Sequence, residues 1–220
     1  MSRLILTGWA CLILVTAQFS CGGRPPAPKR GVVEKDVGSW LFRRYQKVLD
    51  IEVYIPKNRG VGHTASYVRK SAEKRGHLDE TDIVNAVVMR YDTNAGVLRQ
   101  LIMFARRLAQ ESGYTVEEKS ISGTRVIWVK GHGEMWALWA AKRHVVKVGG
   151  RAVRSIPPSL VETYAERYPS KLKSGALEAP LPARAAPTKK KGKKDKYDPS
   201  SPSPDWEKYK PKKLPKNKDK

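Results

Sequence analysis

Hydrophobic and polar positions alternate unevenly along this chain, and the rhythm changes several times. Residues 4–17, LILTGWACLILVTA, are almost continuously apolar. A stretch rich in Pro, Gly and Lys follows, with no hydrophobic period through Val37. From Gly38 the pattern becomes that of a folded domain. In SWLFRRYQKVL, residues Trp40, Leu41, Tyr45, Val48 and Leu49 fall near helical spacing and predict a short amphipathic helix. IEVYI, residues 51–55, alternates Ile51, Val53 and Ile55 against Glu52 and Tyr54, which predicts a half-buried strand closed by Pro56.

The run IVNAVVMRY, residues 83–91, is apolar and β-branched, as in a strand buried on both faces. Asp92, Thr93 and Asn94 offer helix N-caps. Beyond them Val97, Leu98, Leu101, Phe104, Ala105 and Leu108 share one helical face, and Gly113 suits a C-cap. YTVEEKSI, TRVIWVKG, EMWALWAA and HVVKVGG are short β-rich runs separated by turn residues, the mark of an antiparallel meander. Pro157 and Pro158 introduce a last helix, SLVETYAERY, which Pro169 closes. The fold class expected is α+β: a mainly antiparallel sheet with helices packed on one face. It would occupy residues 38–170, between a disordered N-terminal tether at 21–37 and a disordered Lys/Pro-rich tail at 171–220.

Composition adds a strong bias. The 220 residues carry a formal net charge of +22, which favours anionic partners such as nucleic acid, acidic lipid headgroups or envelope polymers. In the tail, residues 171–220, 16 Lys or Arg stand against 6 Asp or Glu, and no apolar face is present to offset the entropy of ordering. Lys189, Lys190, Lys191, Lys193, Lys194, Lys212 and Lys213 form its densest cationic runs and would contact polyanions, with an affinity that falls as salt rises. Tyr197, Trp206 and Tyr209 interleave with these charges, leaving nucleic acid as an alternative partner.

The amino terminus has the layout of a secretory signal over residues 1–20. Arg3 precedes the apolar run, whose length of about 14 residues falls short of the roughly 20 needed to span a bilayer. Cys11 lies within that run, so processing would leave Cys21 as a lone thiol, without a disulfide partner. Ser20, Cys21 and Gly22 behind the apolar run resemble a bacterial lipoprotein signal, although Gln18 and Phe19 stand where that family usually has Leu and a small residue. The resemblance implies acylation of Cys21, a membrane anchor and an envelope location. Cleavage after Ala17, giving a soluble secreted or periplasmic protein, and an uncleaved anchor are the alternatives.

Three groups of residues carry candidate chemistry. NRGVGHTAS, residues 58–66, reads as a loop before a short helix. Arg59, Gly60, Gly62, His63, Arg69 and Lys70 could cradle an anion there with backbone N–H groups and positive charge. The segment lacks the GK[ST] ending of a phosphate loop and the third glycine of a dinucleotide fingerprint. His132 and Glu134 in GHGE could form an acid/base pair of an exported hydrolase or contribute metal ligands, yet the flanking glycines suit a hairpin turn. Trp128, Trp136 and Trp139 crowd the meander, Trp139 facing opposite to Trp136, as core or as an aromatic binding face. No pattern calls for a cofactor or a metal site. The function expected is an exported, lipid-anchored envelope protein with a binding or structural role, its basic tail on anionic polymers.

Overall fold

The computed structural model describes residues 25–48 and 51–183. Cys21 and the tail lysines Lys189 to Lys213 lie outside these residues, as do the signal segment and residues 184–220 of the expected tail.

Seven strands form one antiparallel sheet: β1 (Trp40–Val48), β2 (Gly60–Arg69), β3 (Ile83–Tyr91), β4 (Tyr114–Ile121), β5 (Thr124–Gly131), β6 (Glu134–Ala141) and β7 (His144–Arg151). Among the described residues three helices accompany it, α1 (Lys70–Arg75), α2 (Val97–Gln110) and α3 (Pro158–Arg167), with a 3₁₀ turn at Glu80–Asp82. The order β1-β2-β3-β7-β6-β5-β4 describes two meanders joined edge to edge where β3 pairs with β7. The α+β class and the four-strand meander follow the hydropathy pattern. The turns at Ser122-Gly123 and His132-Gly133 have positive φ at both residues, the mirror-image turn that matches strand twist in two-residue hairpins.

Three local expectations fail for identifiable reasons. The segment read as a helix is β1. A bulge between Phe42 and Arg44 inserts one extra residue, so Trp40, Phe42 and Tyr45 share a face at a spacing that imitates a helix. Residues 51–55 bend at Glu52 and Val53 and join no ladder. Their alternation is real, with Val53 and Ile55 buried and Tyr54 72% exposed, because the segment lies over the sheet. Tyr91 Oη donates to Val53 O at 2.6 Å, and Lys147 Nζ meets Glu52 Oε1 at 2.5 Å. Residues 58–66, read as a loop, run into β2.

The Asp-Thr-Asn cap also differs. α2 begins after Gly96, whose φ of 75° turns the chain into the helix. Buried Asn58 holds the preceding turn, donating from Nδ2 to the Thr93 and Ala95 carbonyls and accepting from Thr93 N. The C-cap is Glu111, two residues before Gly113.

Strand registers assign the faces, and the helices divide between them rather than sharing one. Tyr67 and Trp139 lie on the α3 side: Tyr67 Oη is 2.9 Å from Tyr164 Oη, and Trp139 Nε1 donates to Tyr168 O at 2.7 Å. Residues 51–58 cover the other side beside α2. There the Arg99 and Arg106 guanidiniums of α2 donate to the Pro182, Ala176 and Ala179 carbonyls. The sheet is therefore covered on both faces, which explains why β3 is apolar at most positions of both parities.

The chain after α3 crosses between these layers. β5 pairs with β6 only from Ile127↔Leu138 onward, so the other ends of the two strands splay apart. Ser170 Oγ donates to Arg125 O at 2.7 Å and Lys171 N to Ala140 O at 2.8 Å, which places the chain in that fork. On the far side Glu118 accepts from Gly175 N at 2.9 Å and Leu177 N at 2.6 Å. The packed body thus exceeds the expected 38–170 at both ends. Val32 and Val33 are 1% and 3% exposed, not tether, and Leu172 and Ala176 are buried, not tail. Gly149 permits the closest strand approach, since a Cβ there would lie 2.0 Å from Met135 O.

Candidate anion-binding site

The cradle expected of Arg59, Gly60, Gly62, His63, Arg69 and Lys70 does not form. These residues are strung along β2 and its flanks, which at about 3.3 Å per residue separates the first from the last by roughly 35 Å. Gly60 and Gly62 pair across the sheet with Tyr91 and Met89. They are small because neighbours press on them: a Cβ on Gly60 would stand 2.7 Å from Ile51 Cδ1, and one on Gly62 3.2 Å from Val48 Cβ. His63 lies on the opposite face from the glycines, with Nδ1 3.0 Å from Tyr45 Oη. Burial lowers its pKa, and Arg90 and Lys47 lower it further, so the ring is held neutral.

Arg69 alone of that set enters a cavity rich in arginine. Arg69 ends β2, Arg75 lies in the last turn of α1, Asp79 is the N-cap of the 3₁₀ turn that holds Thr81 and Asp82, and Arg154 follows β7. Together they enclose about 480 Å³. The turn is closed by Asp82 N donating to the Asp79 carbonyl at 3.0 Å and by Asp79 N donating back to Asp82 Oδ2 at 3.3 Å. This buries the Asp82 carboxylate, 6% exposed, where it accepts from Arg75 Nη2 at 2.6 Å and lies 3.7 Å from Arg69 Nε. The Arg69 guanidinium also stacks 4.8 Å from the Trp40 ring. Asp82 thus draws the Arg69 and Arg75 guanidiniums toward the cavity.

The charges do not balance. Three guanidiniums face two carboxylates, and Asp79 is shared with His77 at 2.9 Å. Among the described residues Arg154 makes no ion pair, so its fork of N–H donors remains available. A planar, permanently charged fork beside two positioned guanidiniums suits carboxylate, sulfate or phosphate. The tetrad Arg75, Asp79, Asp82 and Arg154 was not singled out from sequence. RGHLDETD carries the Asp-x-x-Asp signature of a turn box, but nothing in RAVRS announces that it meets that box in space.

His132 and Glu134 are not brought together as an acid/base pair. His132 sits in the hairpin turn with its ring edge-on to Tyr114 at 4.8 Å. Glu134 accepts from Trp136 Nε1 at 2.8 Å and lies 3.9 Å from Arg151 Nε. Among the described residues no group of three or more His, Cys, Asp or Glu could hold a metal ion. No described helix is long and apolar enough to cross a membrane. The tryptophans split as their alternation requires. Trp139 is core, Trp136 lies under Lys147 Nζ at 3.9 Å on the α2 side, and Trp128 lies under Lys119 Nζ at 3.5 Å on the α3 side.

No family model matches this chain, and comparison with curated proteins and with solved structures likewise yields no match.

Proposed function

We propose that the chain is an exported, envelope-located binding protein, anchored through acylated Cys21, whose folded body captures an anionic ligand at Arg69, Arg75 and Arg154. The single observation that carries the binding role is Arg154, which makes no ion pair among the described residues, beside two arginines that both approach buried Asp82. The anchor rests on the residues before the tether, Ser20-Cys21-Gly22 behind an apolar run. The basic tail supplies a second, unspecific attraction toward the same class of partner, weakening with salt.

Titration of the full chain with sodium sulfate and with inorganic phosphate tests the site. Arg154→Gln should weaken binding about 10-fold or more, the scale of a charge-assisted hydrogen bond. Affinity unchanged in that variant would overturn the assignment. The intact mass of protein taken from membranes tests the anchor separately: a chain beginning at a modified Cys21 supports it, and one beginning at Gln18 removes it.

A further inference from the structure

Arg154 lines two recesses at once. On its other side a trench of about 510 Å³ runs between the β4–β5 hairpin and residues 154–158. Trp128, Met135 and Ile156 supply its apolar lining, while Lys119 and Arg154 supply charge and Ser155 a hydroxyl. An apolar, partly aromatic lining with two cations is more than a free inorganic ion requires. We propose that this trench takes one ring of an acidic glycan, its C–H face on Trp128 and its acidic group between Lys119 and Arg154. The next acidic group along the glycan would then reach the Arg69–Arg75 cavity. The inference rests on the anion-binding reading of Arg154 and names the ligand class.

Lys119 provides the chemical argument. Its Nζ lies 3.5 Å from the centre of the Trp128 ring, marking that π face as the seat of an electropositive partner. The polarised C–H face of a pyranose is a neutral partner of the same kind. Lys119 is 41% exposed on an unbranched stem and its other partner is Glu117, at 2.9 Å. It can therefore leave the ring to a sugar and pair with the acid that the sugar carries. Glu117 opposes a bare anion here, so the stacked ring has to contribute to affinity. A single-stranded nucleic acid would ask for successive aromatic platforms, and the trench lining has one.

The test is titration of the full chain at fixed salt with five probes: a heparin-derived hexasaccharide, an oligogalacturonate, a neutral malto-oligosaccharide of the same length, sodium sulfate and a thymidine decanucleotide. An acidic glycan should bind about 10-fold or more tightly than sulfate, the scale of one aromatic platform added to a charge contact. Trp128→Ala should remove that margin and leave sulfate affinity unchanged, while Trp128→Phe should retain most of it. Lys119→Gln, which leaves the ring in place, should weaken both glycans several-fold. Glycan affinity unaffected by Trp128→Ala and Lys119→Gln, or equal affinity for the neutral glycan, would overturn the proposal. So would a decanucleotide that binds as tightly with the same sensitivity to Trp128→Ala. Loss of sulfate binding in the wild-type chain would instead sink the anion site beneath it, so the two failures are separable.

Discussion

His144 opens β7 with its ring 4.9 Å from that of Tyr168, and burial brings its pKa down to about 4. A hydrogen bond to the Ala141 carbonyl opposes the shift, while Arg143 and Arg90 reinforce it. In the unfolded chain the same imidazole takes its proton near pH 6.5. Between those values the denatured state binds more protons than the native one, so stability is complete above about pH 6.5 and declines toward pH 4. Allowing for solvent screening of a partly exposed ring, the decline between pH 7.5 and 5 amounts to about 1 kcal/mol. Urea unfolding at those two pH values checks it, and His144→Gln should flatten the slope. His63, lowered for the same leading reason, adds a smaller slope of the same sign that this variant leaves in place. At this scale sequence reading set Arg69 beside a glycine cradle along residues 58–66, and that cradle does not form. Arg69 owes its position to Trp40 and Asp82, and such partners are fixed only when β1, β2 and the 3₁₀ turn converge.

Elements whose partners are close in sequence were legible, and those defined by distant pairing were not. The four hairpin strands from Tyr114 to Arg151 and helices α2 and α3 carry their turns and periods locally. β1 hides its alternation behind a one-residue bulge, and 51–55 has the alternation of a strand without a ladder. The strap from Ser170 to Ala183 has no period at all, because side-chain and backbone hydrogen bonds from several elements shape it. Glu118 is one of its anchors, one carboxylate serving two backbone donors. Glu118→Ala would leave both N–H groups without that acceptor and should cost about 2–4 kcal/mol. Hydrogen exchange at the Gly175 and Leu177 amides should quicken first, before exchange in the sheet. Protection at these two amides unchanged by the substitution would show that the strap is held by something else.

Over the whole molecule, the limits of the packed body follow burial rather than composition. Proline, glycine and lysine around Val32 and Val33 disguise a plug that fills the α3 side of the sheet. Tyr67 Oη donates to Val33 O at 2.5 Å, Val33 N donates to Tyr164 Oη at 3.0 Å, and Tyr168 Oη donates to Gly31 O at 2.7 Å. Burial raises the pKa of Tyr67 and of Tyr168 to about 12, so both hydroxyls keep their protons and act as donors at any physiological pH. A chain starting at Gly38 therefore loses three buried valines, Val32, Val33 and Val37, and takes from Tyr168 Oη its Gly31 acceptor, leaving Tyr67 and Tyr164 only each other. At about 1.5–3 kcal/mol for a fully buried aliphatic side chain, the loss should exceed about 3 kcal/mol. Thermal unfolding of residues 38–183 against residues 25–183 measures it directly. The same comparison at the other end sets residues 25–170 against 25–183. The shorter chain there forfeits Leu172, Ala176 and both partners of Glu118, and should melt well below the longer one. If either shortened chain melted with the 25–183 chain, that terminal segment would be a passenger on the sheet rather than part of its core.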